Sequence, residues 1–188
     1  MSRGLGDVYK RQTYSSVACE NKIIKQPDCS IKRIKEFKVA YLKFERTHRN
    51  KQAYSTLWGQ IIEFAKKYNL TDKGFKYVSI SLDSLDITEI DKCRFLIGIT
   101  VPYSMEVPKG FGTLNIQAGL YSVFNIKGGY HELNKIYRNV YLDWLPNSKY
   151  RLREQMTFEI YANTPNKTST DELVTEIYLP IEAKQKIK

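Results

Sequence analysis

The feature that most constrains this chain is an internal repeat of about eighty residues. FKVAYLKFE (37–45) alternates Phe37, Val39 and Tyr41 against Lys38, Ala40 and Leu42, a strand pattern. AYSTLWGQIIEFAKKYNL then places Tyr54, Leu57, Trp58, Ile61, Ala65 and Tyr68 on one helical stripe. Two strand-like runs follow, KYVSISL (76–82) and RFLIGITV (94–101). The same order recurs. GLYSVFNIKG (119–128) is β-rich, and the next segment puts Leu133, Ile136, Tyr137, Val140, Tyr141 and Trp144 on one stripe before Pro146 stops the helix. MTFEIYA (156–162) and VTEIYLPI (174–181) close the pattern. A shift of eighty lays Val78 and Ile80 over Phe158 and Ile160, and Ile97, Ile99 and Val101 over Ile177, Leu179 and Ile181.

The predicted fold class is α+β: two pseudo-symmetric β-α-β-β repeats, about 31–102 and 111–182, joined through YSMEVPKGFGTLN (103–115). A half of about seventy residues buries too little surface to be comfortable alone, so the halves should pair. Antiparallel sheets with helices on one face would leave the other face open, with a ligand groove between the halves.

Charge argues against a nucleic-acid surface in this domain. The net charge is +10, but residues 52–188 contribute only +2 and residues 13–51 contribute +6. The remaining +2 comes from MSRGLGDVYKRQ, which reads like a translated sequencing adaptor, so residues 1–12 are set aside. Residues 13–30 are expected to be a linker or a truncated upstream region, and 183–188 a basic tail. Three cysteines without CxxC spacing read as reduced thiols, not a disulfide frame or zinc site. No run approaches eighteen apolar residues and no signal-peptide core opens the chain, so a cytoplasmic protein with no membrane contact is expected. His48 and His131 lack metal-ligand spacing. Cys93 with His131 could form a nucleophile pair, though Cys93 just before a strand reads better as a small core or edge residue. The two glycines of KGGY (127–130) fit a turn before the second helix. No P-loop, dinucleotide fingerprint or GxSxG elbow occurs, so no cofactor, no metal and no assignable catalytic residue is expected.

What remains is a pair of EIY tripeptides. Strand alternation sets Glu159 and Tyr161 opposite Phe158 and Ile160, and Glu176 and Tyr178 opposite Ile177 and Leu179. If the apolar sets pack on the helices, both Glu/Tyr pairs face the open side. The first half carries Ser79, Ser81, Leu96 and Gly98 at the shifted positions, mostly small side chains that leave room. A carboxylate among aromatic faces suits a lipophilic cation, with each ring adding about 0.5–2 kcal/mol. Tyr121 and Trp144 could add aromatic area.

With that pattern in place, the chain resembles the GyrI-like effector-binding family found at the C-terminus of AraC-type and MerR-type multidrug regulators. KVAYLKFE, KCRFLIGITV, AGLYSVFNIKGGYHEL, WLPNSKY and MTFEIYAN…DELVTEIYLPI carry the likeness across residues 32–181. ERTHRN and KGGY stand where the family often has Gly-Pro-Tyr. The resemblance implies a domain that binds hydrophobic, often cationic small molecules, with Glu159 as its pocket acid. Tyr161, Trp144, Tyr121 and Tyr178 would be the aromatic liners and Glu176 a secondary acid. It also implies the sensing end of a bacterial transcription regulator, touching DNA only through a separate N-terminal part. The alternatives it carries are a stand-alone small-molecule hydrolase and an inhibitor that binds DNA gyrase.

Overall fold

The computed structural model describes residues 28–45, 51–83, 94–130, 133–163 and 168–184. The adaptor-like segment, His48, Cys93 and His131 lie outside the described residues. The elements are β1 (Asp28–Ile34), β2 (Phe37–Glu45), α1 (Lys51–Lys67), β3 (Tyr77–Ser81), β4 (Arg94–Val101), β5 (Gly112–Ile116) and β6 (Gly119–Lys127). Then come α2 (Leu133–Asn139), β7 (Tyr150–Leu152), β8 (Phe158–Tyr161) and β9 (Val174–Ala183).

The protein is α+β, with one nine-stranded antiparallel sheet ordered β1-β6-β9-β8-β3-β4-β2-β5 and β7 attached to β9. The expected two sheets are thus fused into one. Read from the β3–β8 seam, β8-β9-β6 on one side matches β3-β4-β2 on the other. At that seam Ser79 and Glu159 are Cα partners, and they are also eighty residues apart. The local twofold relation between the halves therefore passes between these two residues.

Three strands went unread in the sequence: β1, β5 and the short β7. β1 begins three residues before the expected repeat boundary, and β5 overlaps the end of the supposed connector. These two each precede the first strand of their own half yet pair with the first strand of the other: β1 with β6, β5 with β2. The halves exchange leading strands.

Both helices lie on the same face. Ile61, Phe64 and Ala65 of α1 cover Ala40, Ile99 and Val101. Val140, with Ile136 and Tyr137, covers Phe124, Ile126, Ile177, Leu179 and Ile181. α1 ends where Asn69 adopts a left-handed φ of 52° and the Leu70 N–H bonds back to the Ala65 carbonyl at 2.9 Å. α2 runs on through a π-helical turn, Val140–Trp144, into Leu145–Asn147. Pro146 explains the widening: it lacks an N–H, and its ring would crowd the carbonyl four residues back.

The opposite face is not open, contrary to the sequence expectation. Val39, Val78, Ile80, Leu96, Ile116, Tyr121, Val123, Phe158 and Tyr178 form a buried cluster there. Strands β2 and β8 are three places apart in the sheet, about 14 Å if it were flat. Yet the Phe37 and Phe158 rings sit 5.6 Å apart, edge to face. The sheet curls so that this face is concave and fills with its own side chains.

Candidate functional site

Register decides which side chains meet. Phe158 pairs with Tyr178, and Glu159 with Ile177. Glu159 and Tyr161 therefore share the helix-covered face with Ile177 and Thr175, whereas Glu176 and Tyr178 share the concave face with Phe158 and Ile160. The expectation that both EIY pairs face one side is corrected: they point to opposite faces. The physical reason is that β8 is buried on both sides. Its apolar pair fills the concave core, while the apolar residues of β9 pack under α2.

Glu159 is the centre of a small polar cluster in an apolar setting. Tyr137 Oη donates to its Oε1 at 2.9 Å, and Tyr161 Oη donates to its Oε2 at 2.6 Å. Solvent still reaches part of the Glu159 and Tyr137 side chains, although both lie deep in the molecule. That combination describes the bottom of a recess. Burial pushes the Glu159 carboxyl above its ordinary value, and the two tyrosine hydrogen bonds pull part of the way back. The Tyr137 hydroxyl is driven well above its usual range by burial and by the Glu159 charge beside it. Among the described residues no lysine or arginine pairs with Glu159.

Aromatic rings wall the recess. Trp58 of α1 meets Tyr161 edge to face at 5.5 Å and Tyr77 at 6.1 Å. Tyr130, just ahead of α2 and 39% exposed, meets the Tyr161 ring at 5.4 Å. Tyr161 is thus clasped between Trp58, from the middle of α1 in the first half, and Tyr130, ahead of α2 in the second. Ser79, the Cα partner of Glu159, lies on the same face of the first half.

The other sequence candidates fall elsewhere. Tyr178 stacks on Phe158 at 4.6 Å and donates to Glu176 Oε2 at 2.9 Å, with Lys32 Nζ 3.5 Å from Oε1. Tyr121 is fully buried beside the stacked Phe158 and Tyr178 rings, meeting both edge to face, its hydroxyl donating to the Gln117 carbonyl at 3.0 Å. These three belong to the concave core. Trp144 is on the helix side but lies seven residues, about 10 Å, beyond Tyr137 along the helix. It rests against Phe124 at 5.0 Å and Tyr150. Conversely, sequence reading took Tyr137 and Trp58 for core and overlooked Tyr77 and Tyr130. Tyr137 carried a usable signal, since a tyrosine in an otherwise apolar stripe must find a partner for its hydroxyl. No group of three or more metal-ligating side chains gathers among the described residues. None of their helices is long and apolar enough to cross a membrane.

A recessed carboxyl with aromatic walls and no basic partner among the described residues, set where two sheet halves join, marks a protein built around a small-molecule cleft. The chain belongs to the family described as the GyrI-like small molecule binding domain, whose profile matches residues 27–182. No curated protein matches it in sequence. Among solved structures, the C-terminal domain of EcmrR superposes with a TM-score of 0.66 at 17% identity, covering 85% of this chain and all of that one. In the EcmrR–DNA complex the match covers 95% of this chain but 63% of that chain, with a TM-score of 0.65 at 16% identity. SAV2435 bound to tetraphenylphosphonium matches with a TM-score of 0.56 at 15% identity, over 82% of this chain and 94% of that one. A hydrolase encoded by lin2189 of Listeria innocua matches with a TM-score of 0.50 at 10% identity, over 94% and 98%.

Proposed function

We propose that this domain binds hydrophobic, singly charged cations in the groove between its two pseudo-symmetric halves and serves as the sensing part of a bacterial transcription regulator. Glu159 supplies the charge, and Trp58, Tyr77, Tyr130, Tyr137 and Tyr161 supply the aromatic faces. The single observation that carries this reading is a deep carboxyl held by two tyrosine hydroxyls with no basic partner among the described residues. Such a group is costly to ionise alone and is stabilised by an incoming cation. Fixing it with neutral donors leaves its charge uncancelled. Its two hydroxyl donors already occupy one lone-pair direction on each oxygen, which favours a soft cation recognised by field and ring contact. The relative SAV2435, with tetraphenylphosphonium bound, supports that class of ligand. Regulation would follow if the cation prefers one of two arrangements of the domain against a partner region outside residues 27–182.

The test is a titration with tetraphenylphosphonium, read by tryptophan fluorescence in a Trp144→Phe background so that Trp58 alone reports. Saturable binding is expected in the micromolar range; no saturation at millimolar ligand overturns the reading. A hydrolytic role is the second reading, favoured by the same raised carboxyl, which would suit a general base. It predicts turnover that Glu159→Gln abolishes.

A further inference from the structure

The recess is lopsided, and the sequence repeat shows how. The shift of eighty that relates the halves carries Tyr137, Glu159 and Tyr161 onto Leu57, Ser79 and Ser81. An acid braced by two phenols on one side of the seam is matched by a leucine and two serines on the other. Ser79 faces Glu159 directly across the β3–β8 pair and is 6% exposed. On its other side its Cα partner is the fully buried Ile97. The Ser81 hydroxyl is taken up by the Asp83 carbonyl at 2.7 Å. At these three matched positions this half therefore offers neither charge nor ring where the other offers both. Trp58, which touches Tyr77 and Tyr161, spans from one side to the other.

We propose that the Ser79/Ser81 side of the seam, on the face covered by Trp58, seats the apolar body of the ligand, and that Ser79 sets the largest body accepted. This rests on the cation-binding reading of the same recess and adds a direction to it. The charged centre lies toward Glu159, and the bulk lies over the first half. Ligands whose apolar frame extends well beyond the charged centre fit best, because Ser79 and Ser81 project far less bulk than the Glu159 and Tyr161 they match, and an apolar frame placed there leaves water. Ser79 thus acts as a specificity residue that contributes no charge. A larger side chain there would occupy the seat while leaving Glu159, Tyr137 and Tyr161 in place.

The experiment compares Ser79→Ala and Ser79→Leu, using the full chain and two probes: tetraphenylphosphonium by direct titration, and the smaller phenyltrimethylammonium by displacement. Ser79→Ala should bind both probes within twofold of the wild type, since it keeps the volume low. Ser79→Leu should weaken tetraphenylphosphonium at least tenfold and phenyltrimethylammonium less than threefold. Equal retention of both probes by Ser79→Leu, or equal loss of both, overturns the proposal. If Ser79→Leu fails to fold, the smaller Ser79→Val narrows the same seat and is judged by the same selectivity. Failure of the wild type to bind either cation is a different result, and it sinks the cation reading itself.

Discussion

Replacing Glu159 by glutamine is the sharpest test of charge recognition, because it keeps the shape and changes one charge. Gln can still meet both tyrosine hydroxyls that now donate to Oε1 and Oε2. A cation shielded by aromatic groups would place its charge about 6 Å from the carboxylate, worth about 3 kcal/mol at an effective dielectric constant of about 20. Burial works against this gain by raising the carboxyl, so that part of the binding energy goes into removing its proton. The expected net loss in Glu159→Gln is about 1.5–2.5 kcal/mol, a tenfold to seventyfold weaker affinity at neutral pH. Ring contacts survive the substitution, so residual binding should remain. Calorimetric titration of wild type and variant with tetraphenylphosphonium reads this directly, and a second titration at raised salt separates the screened part. The free variant should be no less stable than the wild type at pH 7, since a carboxyl whose folded pKa is raised costs the fold stability once it ionises. Affinity within twofold of wild type, with an unchanged melting temperature, would refute the electrostatic argument.

The remaining predictions use other parts of the molecule. Affinity for a permanent cation should rise with pH above the ordinary carboxyl range as Glu159 ionises, while the free protein loses stability over that same window; Glu159→Gln should flatten both trends, as followed by titration and thermal melts across pH. Tyr137→Phe removes one donor from the carboxyl and should move the midpoint of that pH profile upward. Phe158→Ala should cost about 3–5 kcal/mol in denaturant unfolding, because Phe158 is fully buried where the Phe37, Tyr121 and Tyr178 rings converge. Gly98→Ala should cost about 1–3 kcal/mol or more, since a Cβ there would meet the backbone carbonyl of Ala40.

Much of the frame could be read from residues alone. FKVAYLKFE and RFLIGITV coincide with β2 and β4 to the residue, and α1 buries Ile61 and Ala65 as the stripe required. Side-chain facing was not legible, because alternation fixes which residues of one strand go together but not which set meets the helices. In β8 both sets are wanted inside, so Phe158 gives no polarity cue against Glu159. The strand exchange was also hidden. KRI in β1 is as polar as a linker, since a strand at the sheet edge can leave Lys32 and Arg33 exposed, and only its pairing with β6 reveals its place. The aromatic wall had no sequence signature, because Trp58 lies in one half and Tyr161 in the other. They meet only once β3 and β8 are joined.

The exchanged leading strands have a consequence for how the chain reaches this state. During synthesis β1 emerges about ninety residues before β6, its strand partner, so it must wait for the whole first half and the opening strands of the second before it can dock. β5 has its partner β2 ready behind it and can close at once. The first half can thus assemble early around β2, β3 and β4, with β5 arriving from the start of the second. β1 has no place in the sheet until β6 has emerged, and pairing at so great a separation slows folding. A chain severed between β4 and β5 would leave each fragment one strand short and holding one strand too many, and the two should recover the native sheet only by finding each other.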